Sequence, residues 1–221
     1  VTDWRPPEPA LRWCAGYPVV VWQADRPWLS LSSGVHGGGL GERWWVLNST
    51  VGSDYNRTDP GSHVAGIADF LLLSGSGTGL LTAVDVRYTV TGEDAGVHVS
   101  VSTGVGHPTW AAAPAEAGVL SPAASTINLI CWLPVRLTAP ALVNAIATVT
   151  EAKTQALISA GVPGTGTATD SIVLLCPTDG PGENFGGPRS QIGAPLARAV
   201  HAAVTAGLKV PDPVFRGQPS I

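Results

Sequence analysis

One segment constrains the fold more than any other. Between Thr138 and Gly161 the chain carries a full helix signature: a capping threonine, Pro140 in the first turn, and a glycine stop. Leu142, Ile146, Val149, Ala156 and Leu157 recur at helical spacing and predict its core face. A strand-like run at 125–134, containing Thr126-Ile127-Asn128-Leu129-Ile130-Cys131, precedes it, and Ser171-Ile172-Val173-Leu174-Leu175-Cys176 follows. A second helix fits 190–206 through Ile192, Leu196, Val200 and Val204. A third opens at Asp59-Pro60 and passes Ile67, Ala68 and Leu71 before Ser74-Gly75 stops it. Other runs read as strands: 11–24 and 27–33, split by Asp25-Arg26-Pro27, then 42–48, and a hairpin-like pair at 79–90 and 97–104 with 92–96 between. Strands with grouped rather than alternating helices predict an α+β fold, a mainly antiparallel sheet with layered helices. No repeat or linker divides the chain, so one domain over 1–221 is expected, with 1–10 and 208–221 as peripheral tails.

Composition narrows the partners. With 13% charged and 44% hydrophobic residues the chain reads as a compact globule, not a disordered one. A net charge of −4 with scattered basic residues forms no stripe for nucleic acid. No apolar run is long enough to span a membrane, and the first residues lack a signal-peptide pattern, so a cytoplasmic protein is expected. In such a protein the sequons Asn48-Ser49-Thr50 and Asn56-Arg57-Thr58 carry no meaning. Cys14, Cys131 and Cys176 lack metal-type spacing and read as small apolar residues.

Chemistry concentrates in Gly164-Thr165-Gly166-Thr167-Ala168-Thr169-Asp170, where small and hydroxyl residues end in a lone carboxylate at the mouth of a strand. Glycine there permits positive φ or the close approach of another group. His36-Gly37-Gly38-Gly39 matches the oxyanion loop of lipases and esterases, but the chain has no serine flanked by glycines two positions away on each side. That loop reads instead as close backbone approach to a bulky ligand. His63, His98, His107 and His201 are dispersed, and neither a metal nor a cofactor is called for. Eight tryptophans are many for this length, and most read as core.

Several segments together resemble the CbiZ family, the adenosylcobinamide amidohydrolases. They are Leu31-Ser32-Ser33, Gly37-Gly38-Gly39-Leu40-Gly41, Trp45-Val46-Leu47-Asn48, Asp54-Tyr55, Asp59-Pro60 and Leu81-Thr82-Ala83-Val84-Asp85. The likeness continues through Thr103-Gly104-Val105, Gly118, Thr126-Ile127-Asn128, Glu151-Ala152-Lys153-Thr154, Gly166-Thr167-Ala168-Thr169-Asp170 and Gly193. It covers the chain from about Ser30 to Ala206. Gly34-Val35-His36 and Gly106-His107-Pro108 depart from the family pattern.

The resemblance implies hydrolysis of the amide joining the aminopropanol arm to the corrin ring, giving adenosylcobyric acid and aminopropanol in corrinoid salvage. A non-catalytic corrinoid-binding protein and an amidase for a different amide are the alternatives. Amide hydrolysis needs a base or nucleophile, donors for the oxyanion, and a proton for the leaving amine. Asp170 and Glu151 are the base candidates, and Lys153 is a candidate oxyanion or amine partner. Thr126, Thr167 and Thr169 can orient water or attack, and Asn48 and Asn128 can donate. His36, Gly38 and Gly39, with Trp45 (or Trp44) and Trp110, are candidate walls for a flat apolar ring. Each has a plainer reading: Asp170 as a loop cap, Glu151 and Lys153 as a solvated helix face, Asn48 and Asn128 as strand-end partners of the backbone.

Overall fold

The computed structural model describes residues 5–117, 125–211 and 214–215; Gly118 and the end of the Ala/Pro-rich loop lie outside them. Strands β1 (Ala10–Cys14), β2 (Tyr17–Ser32), β3 (Gly39–Thr50), β4 (Gly77–Thr82), β5 (Val90–Asp94), β6 (Val97–Thr103), β7 (Ile127–Trp132) and β8 (Ser171–Cys176) form one sheet. Its order is β4-β3-β2-β8-β7-β6-β5, with β1 added along the first part of β2. The β3–β4 and β7–β8 pairings are parallel and the other pairings antiparallel, so the mixed α+β class expected from the sequence holds.

Helix α2 (Ala139–Ser159) follows Thr138 as the sequence predicts, and α3 (Gly193–Gly207) starts three residues later than its periodic run. Helix α1 (Pro60–Phe70) begins with proline at its first turn. Helices α2 and α3 cover one face of β6–β8, burying Leu142, Val149, Ala156 and Leu157 against Leu196, Val200 and Val204, while Ile146 is half-buried. Helix α1 covers the same face at β2–β3, over Val19, Val21, Trp45 and Leu47. Residues of opposite parity, among them Val20, Trp22, Val46, Leu80, Ile130, Trp132, Val173 and Leu175, share a second core on the other face. That core joins strands distant in the sheet order, and Asn128 of β7 bonds directly to Asn48 of β3. The sheet is therefore curled, with the helices outside and this core inside.

Three strand boundaries differ from expectation. The first break lies at Ala15-Gly16, whose positive φ values of 48° and 83° make a two-residue hairpin turn. Asp25-Arg26-Pro27 instead stays within β2, where a register shift between Gln23 and Trp28 accommodates the proline. The 79–90 run is not one strand: β4 ends at Thr82, Asp85 caps a 3₁₀ turn at Val86–Tyr88, and β5 then starts at the opposite edge of the sheet. The true hairpin is β5–β6, turning at Ala95-Gly96. Cys131 and Cys176 are buried, as read. Phe215 donates its N–H to the Ala83 carbonyl, and its ring lies 5.3 Å from that of Tyr17.

Candidate active site

Parallel β7 and β8 start side by side, so Thr126 and Asp170, each one residue before its strand, become neighbours. Asp170 is almost enclosed. Its Oδ1 accepts from Ile127 N at 3.0 Å and Thr167 Oγ1 at 2.5 Å. Its Oδ2 accepts from Thr167 N at 3.1 Å and is paired with Lys153 Nζ, which α2 delivers from its buried face. Gly166 is required for this approach, because a Cβ there would collide with the Lys153 ammonium and the Asp170 carboxylate. Gly164 likewise allows the backbone of Thr109 to come close. Close approach explains both glycines, and neither has positive φ.

The loop is tied down along its length. Thr109 N donates to Gly166 O and Thr165 N to Thr109 O, both at 2.8 Å, and Ala111 N donates to Thr165 Oγ1 at 2.9 Å. These bonds flank Trp110, which is 52% exposed beside the hydroxyl loop. Thr169 Oγ1 lies 2.6 Å from Thr126 Oγ1 and donates to the Ser125 carbonyl at 3.3 Å. With its proton so directed, Thr169 accepts from Thr126.

Beside this hydroxyl pair opens a cavity of about 490 Å³. Thr126, Thr169 and Ser171 line it, together with 80–83 at the end of β4 and the loop between β3 and α1. That loop contributes Tyr55, Asn56, Arg57 and Thr58, and Val35 and Pro60 add apolar surface. Arg57 and Asp59 form an exposed two-point ion pair at 2.9 and 2.7 Å. The pairing raises the guanidinium pKa and lowers that of the carboxyl. Asn48 and Asn128 form a buried network: Asn128 Nδ2 donates to Asn48 Oδ1 at 2.9 Å and to Leu81 O at 3.0 Å, and Asn48 Nδ2 donates to Ser102 Oγ at 2.9 Å. Among the described groups Asn128 Oδ1 has no partner.

The structure thus gathers Asp170, Lys153, Thr167, Thr169 and Thr126 into one cluster, while Trp110 is held on the adjoining segment between Thr109 and Ala111 and does not line the cavity. Glu151 is not among them. Two residues from Lys153 on the helix, it lies on the exposed face of α2. Trp45 is buried under α1, its indole N–H donating to Gly75 O at 3.0 Å, and the His36 ring stacks against it at 5.7 Å. The carbonyl of His36 accepts from Gly79 N and Thr78 Oγ1, and Gly38 and Gly39 are exposed beyond it, none of the three lining the cavity. Sequence reasoning missed Tyr55, Asn56, Arg57, Thr58, Thr82 and Ser171. The signal was a polar run between a buried strand end and a helix start, where loops carry function. Among the described residues no group of three His, Cys, Asp or Glu side chains is placed to hold a metal.

The model of the family described as adenosylcobinamide amidohydrolase matches residues 12–213. The adenosylcobinamide amidohydrolase of Methanosarcina mazei is 28% identical over 190 residues, covering 82% of this chain and 90% of that protein. Two solved structures are more distant. The PH0078 protein from Pyrococcus horikoshii OT3 is 14% identical with a TM-score of 0.43, over 91% of this chain and 78% of that one. A Burkholderia sp. beta-aminopeptidase is 15% identical with a TM-score of 0.35, over 87% and 78%. On a match spanning nearly its whole length, the chain belongs to the adenosylcobinamide amidohydrolase family, CbiZ.

Proposed function

We infer that this protein hydrolyses adenosylcobinamide at the amide of its aminopropanol arm, releasing adenosylcobyric acid and aminopropanol in corrinoid salvage. Family membership supports the reaction, and the cavity beside the Thr126–Thr169 pair supports its place. At about 490 Å³ the cavity suits the arm and the edge of the ring. The rest of the corrin, with its peripheral amides, stays at the mouth. Thr126 and Thr169 turn their hydroxyl lone pairs to a water at the scissile carbonyl, while Asp170 and Lys153 hold the loop that positions them. Asp170 already accepts from four donors, so its oxygens are committed to holding the loop.

Purified protein given adenosylcobinamide should yield both products by mass spectrometry. Intact substrate across a range of pH and added divalent metals would overturn the reading, and a visible-spectrum shift without cleavage would point to a binding protein.

Two further results are expected from this placement. Trp110→Ala should raise KM about tenfold with kcat little changed, as loss of an aromatic platform for the ring removes uniform binding. An unchanged KM would take Trp110 out of the site. Glu151→Gln should leave kcat/KM within about twofold and stability within about 0.5 kcal/mol, as for an exposed helix position. A hundredfold loss of kcat would instead restore Glu151 as a base.

A further inference from the structure

Tyr55 divides two spaces. On one side it lines the cavity that holds Thr126 and Thr169. On the other it lines a pocket of about 290 Å³ with His63, Tyr17, Asp54 and Cys14. Its hydroxyl lies 3.0 Å from His63 Nδ1, and the two rings are near-parallel at 18° with centroids 5.4 Å apart. Both residues are fixed in place. Tyr55 N donates to Gly52 O at 3.1 Å, and His63 sits in the first turns of α1, whose Val64, Ile67 and Ala68 are buried.

Building on the amidohydrolase reading, we propose that Tyr55 and His63 form the proton relay of the site. As water attacks the amide carbon, it passes a proton to Tyr55 Oη, and the tyrosine proton moves to His63 Nδ1. The tetrahedral intermediate then collapses: the C–N bond breaks, His63 returns the proton through Tyr55 to the departing aminopropanol nitrogen, and both residues end as they began. The acid product keeps the water oxygen, so atoms and protons balance without another reactant.

The surroundings fit these resting states. Burial raises the Tyr55 pKa, which keeps the phenol protonated. Burial, and secondarily the charge of Arg57, lowers the His63 pKa, with Asp59 opposing; a neutral Nδ1 is the acceptor the relay needs. Facing the pair are Asp54, Arg57 and Asp59 from the loop, and Cys14 and Tyr17 from the β1–β2 hairpin. The outer pocket gives His63 its own route for proton exchange, separate from the substrate cavity.

The test is the pH profile of adenosylcobinamide cleavage by the wild type, Tyr55→Phe and His63→Gln, with thermal melts of each. The wild type should lose kcat/KM on the acid side with an apparent pKa below the ordinary histidine value of about 6.5. Tyr55→Phe should lower kcat by about 10²–10⁴ with KM within threefold, the usual scale for lost acid–base assistance. His63→Gln should lower kcat and abolish the acid limb, an outcome that a purely structural role would not produce. The relay is overturned if an active wild type is matched within threefold by a folded Tyr55→Phe, or if the limb persists unchanged in His63→Gln. A wild type that leaves adenosylcobinamide uncut overturns the amidohydrolase reading and the relay together.

Discussion

Asp170→Ala is expected to destabilise the fold by about 3–5 kcal/mol, because Lys153 is left as a buried, uncompensated charge. The backbone N–H groups of Ile127 and Thr167 and the hydroxyl of Thr167 lose their acceptor as well. For a chain of this size that is a fall of about 6–20 °C in Tm. Turnover should vanish below the melting temperature too, since the Thr126–Thr169 pair depends on the loop that Asp170 ties to β7. Lys153→Met should be damaging to a lesser degree, because Asp170 keeps three donors. The double variant should fall short of the sum by about 1–3 kcal/mol, as expected for directly paired groups. Urea unfolding of the three variants measures this. Strict additivity would mean that the ion pair does not hold the loop.

Trp132→Ala should cost about 3–5 kcal/mol by opening a void in the inner core. Trp132 is buried between Trp28, in edge contact at a centroid distance of 4.5 Å, and Trp22 at 6.4 Å. Trp132→Phe should cost far less, about 1.5 kcal/mol or below. Its indole N–H has no partner among the described groups, so phenylalanine removes a buried unsatisfied donor along with some volume. If both variants cost the same, a hydrogen bond to the indole matters more than its bulk. Calorimetric melting at one pH separates the two cases.

The helices were readable because a 3.6-residue period and end signals coincide: Thr138, Pro140 and Gly161 bracket α2 closely. Strand boundaries were less so, and two of them show why. A proline ordinarily interrupts a strand, yet Pro27 sits at a register shift that only the pairing with β3 reveals. The apolar residues Ala83, Val84 and Val86 continue the pattern of β4 because the segment leading into the 3₁₀ turn is itself buried, so burial and strand periodicity looked alike. At the site, the residue types of 164–170 were legible as a polar cluster, and Lys153 stood out on α2. Their union was not, since the pair spans a crossover from helix to strand. Trp45 shows the converse limit. A tryptophan beside a glycine loop suits a ligand wall or a helix bed equally well, and only the placement of α1 decides for the bed. Tyr55 was passed over because its chemistry depends on a histidine in the next element, at hydrogen-bond distance across a turn.

The double duty of β2 has a kinetic consequence. Its first part is flanked by β1 and β3, elements made at nearly the same time, whereas its last residues pair with β8. The contact that closes this join links Ser33 and Ile172, 139 residues apart. During synthesis the β1–β4 unit with α1 therefore emerges with one edge of the last residues of β2 unpaired and their apolar face uncovered. Folding must wait for the chain through Cys176 to arrive, and so high a contact order places it among slow folders. Until then the free edge of β2 is a template for other chains, so yield of the soluble protein should be limited by how long this nascent half-sheet waits for its partner.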